Sequence, residues 1–589
     1  MRQEMSGRKL LSVALLLACV SVSKAEAGDF DQPHRVQLSF DRFYNYPELV
    51  QAFRTLERSY PKLMRVTSIG KSVQGRDIIL ATIFNPETGP ETRKAAMYIE
   101  ANVHGNEVQG AEVCLYTAWY LLENYGKIPR VTDLVDTRVF YIVPTVNPDG
   151  RAWWFDQPNT SSSSRSGLLP VDDDNDGLLD EDDFDDLDGD GHICQMRKRV
   201  PFGEFRVSSS DPRLMERVEA GEVGDYILLG YEGIDNDGDG LLNEDGPGRY
   251  DPNRNWPADW QPNYIQPGAG DYPLSLPEAR AVAQFLLEHP NIAGVQSYHN
   301  SGGLILRGPG AESVPEYPLE DVRVYDRLGE IGETILPFYR YAVIYRDLYT
   351  VHGGFINWTY EGLGIFSFTN ELWSSYEYFK VRPAREDSRD WRSSFFARDS
   401  ERLKFNDLVE MGFMFVDWHP FKHPAYGDIE IGGWKKWAWR VPPAFALEEL
   451  CHRNCAFTLY HADQLPKPAI HEVTAEKLGP RLFRVRAVVA NERIIPTMSQ
   501  QAVRYKLQRP DWVSISGPSL RVLAGGLVPD RWLGKMEPAK RHPERIRLTE
   551  GIPGMEERVI EWLVEGTGPA EITLDCVKGG VVTRAVELK

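Results

Sequence analysis

Cysteine is scarce in this chain and does not cluster: Cys19, Cys114, Cys194, Cys451, Cys455 and Cys576 are scattered over 589 residues, which excludes the dense disulfide framework of a small secreted scaffold. Only Cys451 and Cys455 are close, as one disulfide or as two buried thiols, and with no second pair they make a poor metal-binding set. Long apolar runs are missing too. The longest, residues 10–20, falls short of the roughly 18–20 residues that cross a bilayer. It follows Arg8 and Lys9 and precedes Ala25-Glu26-Ala27, the layout of a signal peptide over 1–27. The expectation is a secreted or periplasmic protein with no membrane span. An excess of basic residues is also lacking: 66 Lys and Arg face 86 Asp and Glu, a net charge of −20, so the chain has no basic face for nucleic acid.

The acidity is local. Residues 172–190 hold twelve Asp and Glu, residues 232–245 hold six, and neither stretch holds a Lys or Arg, so removing 18 charges from −20 leaves −2 for the rest. The two stretches repeat in register, Asp174-Asn175-Asp176-Gly177-Leu178-Leu179-Asp180-Glu181-Asp182 against Asp237-Gly238-Asp239-Gly240-Leu241-Leu242-Asn243-Glu244-Asp245. Alternating carboxylates converge on calcium, which takes six to eight oxygens, while glycine permits the sharp turn. Asp172, Asp174, Asp176 and Asp180 fit loop positions 1, 3, 5 and 9, and Asp235, Asp237, Asp239 and Asn243 fit them again. Asp186, Asp188 and Asp190 start a weaker third copy. The bidentate Glu of position 12 is missing, since Asp183, Gly246 and Arg197 fall there. These are abbreviated loops for structural Ca2+, similar to those of dockerin and thrombospondin-type repeats.

Around this insertion (156–250) the pattern mixes apolar strand runs with amphipathic helices, the signature of an α/β domain, placed at 36–424. Strands are expected at 98–103, 139–143, 293–298 and 364–368, and helices at 108–124, 400–418 and, after a capping box at Ser275 to Glu278, up to Glu288. Asn147-Pro148-Asp149-Gly150 reads as a turn. From 425 to 589 short alternating runs separated by Pro and Gly predict an all-β sandwich, a structural or binding appendage whose partner the sequence does not name.

Within the α/β part, His104-Gly105-Asn106-Glu107 follows a strand and opens a helix. A His and a Glu three apart can hold one zinc ion, and a catalytic zinc needs three protein ligands with a fourth position open. The third ligand belongs at the end of another strand. His299 is so placed, with His352 its nearest rival.

Further blocks follow in order: Tyr60-Pro61, Ile69-Gly70, Gly75-Arg76-Asp77, Asn147-Pro148-Asp149-Gly150, Met196-Arg197-Lys198, Asp251-Pro252-Asn253-Arg254-Asn255-Trp256, Tyr349, Gly353-Gly354-Phe355-Ile356-Asn357-Trp358 and Phe366-Ser367-Phe368-Thr369-Asn370-Glu371-Leu372. In these blocks the chain resembles the zinc carboxypeptidases of the A and B type. The resemblance implies a mixed twisted sheet flanked by helices, with His104, Glu107 and His299 on Zn2+ and Asp251 orienting a ligand imidazole. It makes Glu371 the general base toward a metal-activated water and Arg197 the stabiliser of the oxyanion. Asn253, Arg254 and Tyr349 would hold the terminal carboxylate of a peptide or protein substrate. Val351, Ile356 and Thr369 would line the pocket for the last side chain, and an uncharged Ile356 favours apolar or aromatic C-terminal residues. Two other functions stay open: a zinc amidohydrolase acting on cell-wall peptides or N-acyl amino acids, and a calcium-organised adhesion protein with a relic peptidase domain.

Overall fold

The structure, a computed structural model, describes residues 33–163, 166–172, 176–248, 250–374, 399–530 and 532–589; the expected signal peptide and the expected calcium ligand Asp174 lie outside the described residues. Asn45 starts the first helix, α1 (Tyr46–Ser59): its side chain accepts from Glu48 N, the Glu48 carboxylate accepts from Asn45 N, and Pro47 fills the first turn. Leu49, Ala52, Phe53 and Leu56 recur at helical spacing and all are buried. The chain continues through β1 (Met64–Lys71), β2 (Asp77–Ile83), β3 (Ala95–Ala101), α2 (Gln109–Asn124), α3 (Pro129–Thr137), β4 (Arg138–Val143) and α4 (Pro148–Asp156). The insertion contributes β5 (Gln195–Gly203), β6 (Phe205–Val207), β7 (Met215–Arg217) and β8 (Gly224–Tyr231). Then come α5 (Pro277–Glu288), β9 (Ile292–Asn300), β10 (Leu304–Arg307), α6 (Leu319–Ile335), β11 (Arg340–Val343), α7 (Phe355–Glu361) and β12 (Phe366–Leu372).

The central sheet has the order β1-β2-β4-β3-β9-β12-β10-β11. Strands β4, β3, β9 and β12 run parallel to one another. Parallel strands are covered on both faces, and every residue of β3, β4 and β9 is buried. Arg138 in β4 and Glu100 in β3 are ionisable residues among them. Ser297 Oγ donates to Glu100 at 3.1 Å, and burial pushes the Glu100 carboxyl up to about 8.

After α8 (Asp399–Val409) come β13 (Phe415–His423), β14 (Gly427–Trp434) and α9 (Ala444–Asp463). Helices α1, α2, α3, α6 and α9 cover one face of the sheet, and α5 and α7 the other. Several expectations are corrected here. The helix expected over 400–418 stops at Val409, because Met411 and Gly412 take left-handed φ values of 54° and 81°. The strands that follow pair with those of the insertion, in a six-stranded sheet of order β13-β14-β5-β8-β6-β7. The α/β domain also runs past 424: α9 packs on α2, with the Tyr116 hydroxyl 3.0 Å from His452 Nδ1. Cys451 and Cys455 lie buried on α9 as free thiols. The Asn147 turn opens α4, with Asn147 Oδ1 accepting from Gly150 N. Ser275 does not cap α5; its hydroxyl accepts from Asn255 Nδ2 and Leu276 stands at the cap.

Two antiparallel sheets close the chain. The first, β15-β16-β21-β18-β19, is built from β15 (Pro468–Lys477), β16 (Leu482–Asn491), β18 (Arg521–Val528), β19 (Glu537–Pro538) and β21 (Glu557–Glu565). The second, β20-β17-β22-β23, uses β17 (Asp511–Ser516), β20 (Arg545–Leu548), β22 (Gly568–Cys576) and β23 (Gly580–Leu588). Phe483, Val485, Val513, Ile560, Trp562 and Leu574 fill the space between them. The sandwich therefore begins at Pro468 rather than 425. It meets the α/β domain where the parallel strands start: Lys578 Nζ donates to Ile292 O, Ser499 Oγ to Gly364 O, and Lys94 bridges to Gly580.

Candidate active site

The opposite ends of the same strands form the site. Beyond β3 the chain turns at Asn102, whose left-handed φ of 55° an asparagine tolerates. Its side-chain amide donates to the carbonyls of His104 and Gly105 at 2.6 and 3.0 Å, and buried Arg151 donates to its Oδ1. This fixes the loop that presents His104 and Glu107. His299 and Glu371 stand near the ends of β9 and β12 and are direct register partners.

His104 Nδ1 lies 3.0 Å from Glu107 Oε1, His299 Nδ1 lies 3.0 Å from Glu107 Oε2, and the two ring nitrogens are 3.2 Å apart. All three side chains are buried. Two ligands on one tetrahedral zinc, each ~2.0 Å from the metal, sit ~3.3 Å apart, so this donor set fits zinc. Burial works against charge on Glu107, but His104 and His299 outweigh it and hold its carboxyl well below the usual range. On the far side of the ring, His104 Nε2 pairs with Asp251 Oδ1 at 2.8 Å. The rival His352 points elsewhere, 2.8 Å from Asp259.

These groups open into a cavity of about 380 Å3 that also holds Asn253, Arg254, Tyr349, Ile356 and Glu371. Asp251 Oδ1 accepts from Asn253 N, and Asn253 Oδ1 accepts from Phe355 N, which ties this loop to the start of α7. Arg254, 7% exposed, points its guanidinium 6.0 Å from the ring of Tyr349, which is 40% exposed. A buried cation beside an exposed phenol can receive a carboxylate entering from solvent. The deep wall is apolar, with Leu304, Leu306, Val351 and Ile356, and Thr369 and Asn357 add polar groups.

Arg197 is not brought to this cavity. It lies on β5, where its Nε donates to Glu430 on β14 at 2.7 Å and its guanidinium stacks 4.2 Å from the ring of Trp418. A second cation lines the cavity beside Arg254: Arg440, which no sequence motif marked. Its Nη1 is 3.9 Å from Glu107 Oε1 and donates to Asn300 O at 3.3 Å. Its carbonyl accepts from the buried amides of Gln109 and Asn300, both at 3.0 Å. The backbone that carries Arg440 is thus anchored to α2 and to the end of β9. Three tryptophans, Trp434, Trp437 and Trp439, stand just before it in the chain.

In the insertion, Asp172 Oδ1 accepts from Asp176 N and Asp172 Oδ2 from Gly177 N. Asp235 does the same with Gly238 N and Gly240 N. Oxygens of Asp235, Asp237 and Asp239 lie within 4.8 Å of one another. Asp180 turns back to Val171 N and Asn243 to Tyr231 O.

Residues 49–170 and 241–397 match the zinc carboxypeptidase family, with the acidic insertion between the two matched parts, and residues 467–587 match a domain of unknown function. Carboxypeptidase D of Drosophila melanogaster is 32% identical over 150 residues, 24% of this chain and 11% of that protein. Carboxypeptidase D of Homo sapiens is 37% identical over 114 residues, 19% of this chain and 8% of that protein. Carboxypeptidase M of Mus musculus is 34% identical over 118 residues, 20% of this chain and 26% of that protein. The alignments thus span between about a twelfth and a quarter of these relatives' length. Among solved structures, thrombin activatable fibrinolysis inhibitor aligns with a TM-score of 0.43 at 17% identity, covering 74% of this chain and 77% of that one. Carboxypeptidase A from Helicoverpa armigera aligns with a TM-score of 0.39 at 19% identity, covering 59% and 68%.

Proposed function

Because the chain belongs to the zinc carboxypeptidase family, we propose that it hydrolyses the last peptide bond of peptides or proteins, one C-terminal residue at a time. One observation carries this reading: a three-donor metal set, a carboxylate and a buried arginine for the substrate terminus share a single cavity. His104, Glu107 and His299 would hold zinc, which when bound would supply a Lewis acid for the scissile carbonyl and for the attacking water. Glu371 takes the proton from that water and hands it to the leaving amine. Asp251 fixes the His104 ring so that Nδ1 faces the other donors. Arg254, with Asn253 and Tyr349, receives the terminal carboxylate and so selects exopeptidase over endopeptidase action. Arg440, in place of Arg197, meets the negative charge that develops on the carbonyl oxygen.

The apolar wall around Ile356 supports a preference for apolar or aromatic C-terminal side chains. The acidic loops take Ca2+ as a structural ion, which suits an exported protein in calcium-rich surroundings. No described helix is long and apolar enough to cross a membrane. The sandwich, docked at the strand starts, supports the fold away from the cleft.

Incubation with a mixed peptide library, read by mass, tests the reading. Stepwise loss of C-terminal residues that stops with a zinc chelator and with Glu371→Gln is expected. Cleavage at internal bonds, or none at all from zinc-loaded protein, would overturn it.

A further inference from the structure

The two acidic repeats face each other across a local pseudo-twofold axis. Asp176, Glu181 and Asp182 of the first correspond to Asp239, Glu244 and Asp245 of the second. On the axis Asp182 and Asp245 form an antiparallel β-bridge, Asp182 N donating to Asp245 O at 3.1 Å. Their side chains are 0% and 1% exposed. Even so, Asp182 Oδ2 and both carboxylate oxygens of Asp245 accept from no N–H or hydroxyl donor; what faces them are carboxyls, Glu244 against Asp182 and Glu181 against Asp245. Both oxygens of Glu181 and one of Glu244 are in the same state. The donor within reach is Asn236 Nδ2, which serves Asp182 Oδ1. A buried carboxylate left so is costly unless a cation completes it. The glutamates register the strain: burial, together with Asp245 beside Glu181 and Asp182 beside Glu244, pushes both carboxyls up to about 7.

The oxygens gather across the axis. Those of Asp176 and Glu181 lie within 4.8 Å of Asp237 from the other repeat, and those of Asp182 lie within 4.8 Å of Asp237 and Glu244. Two oxygens on opposite sides of a calcium ion, each ~2.3–2.6 Å from it, are ~4.6–5.2 Å apart, so these spreads fit one coordination shell.

We propose that the insertion binds a pair of calcium ions between the repeats, each shell completed by carboxylates of the other repeat, so that the two ions bind cooperatively. The proposal rests on the calcium reading given above and adds how the ions are held. Position 12 of each loop needs no Glu, because the missing oxygens come from across the axis. The all-oxygen, histidine-free donor set selects a hard divalent cation over zinc. Shared Asp237 and the bridged Asp182–Asp245 pair couple the two shells, since ordering one repeat positions the ligands of the other.

The test is a calorimetric titration of Ca2+ into the full-length, zinc-loaded, calcium-stripped protein, repeated with Asp182→Asn. The expected result is one cooperative transition with a Hill coefficient above 1, and an Asp182→Asn variant that weakens the binding of both ions by about tenfold or more. Two independent transitions, with Asp182→Asn weakening one alone, would overturn the shared shells and leave the calcium reading standing. No heat, and no rise in melting temperature at millimolar Ca2+, would overturn both. Should the variant fail to fold, the wild-type Hill coefficient decides.

Discussion

On the reading proposed above, the zinc cleft and the acidic insertion each hold a cation, and their side chains are arranged for it in opposite ways. In the cleft one carboxylate, Glu107, sits among two imidazoles and is charged by their company. The ligands hang on strand ends, and Asp251 steadies the His104 ring. In the insertion carboxylates meet carboxylates, on loops whose turns are set by Asx-type hydrogen bonds, and several buried oxygens have no donor. The first set pairs opposite charges; the second sets like charges against one another. In the proposed function a cation makes chemistry in one region and structure in the other.

The largest effect that sharpens this contrast is Glu371→Gln, expected to lower kcat by about 10²–10⁴-fold while zinc content stays unchanged. Asp182→Asn, measured on the same peptide, should leave kcat within about twofold, and a comparable loss there would erase the division between the regions. Next come the two arginines. Arg440→Ala should cost about 10²–10³-fold in kcat. Arg197→Ala should spare kcat and destabilise the fold by about 1–3 kcal/mol, read by denaturant melts, because it unties β5 from Glu430 and Trp418. The reverse outcome would return the oxyanion role to Arg197.

A smaller effect is Asp251→Asn, which should weaken zinc affinity about 10–100-fold in competition with a chelating dye. The smallest concerns pH. Glu181 faces Asp245 and Asp176, Glu244 faces Asp182 and Asp239, and each folded-state carboxyl is raised to about 7 from about 4.5. The native state then binds more protons than the unfolded chain between those values, so stability falls as pH rises through this window. Melting temperatures of calcium-free protein should decline from about pH 4.5 to 7, and saturating Ca2+ should flatten the decline.

The residues at strand ends were legible in the sequence because the strand, the turn and the ligand are contiguous. His104 and Glu107 follow β3, His299 ends β9, and Asn253 and Arg254 ride on one short turn. Arg197 misled because Met196-Arg197-Lys198 carries the motif's residue types on a strand that the insertion has drawn into its own sheet. Arg440 was invisible for the converse reason: it reaches the cavity by long-range anchoring to Gln109 and Asn300, which leaves no local pattern. The boundary at 425 failed alike, since the β13–β14 hairpin has sandwich-like alternation but pairs with β5, and α9 then returns to the α/β core. The acidic repeats could be read as loops, yet their mutual facing depends on the fold between them.

The most direct test of the central claim uses one peptide with an apolar C-terminal residue, offered once with a free carboxylate and once as the amide, with release of the last residue followed by mass. With Arg254, Asn253 and Tyr349 receiving the terminus, the free acid should be trimmed and the amide left essentially intact. Equal rates on both peptides, or cleavage at an internal bond, would contradict the account.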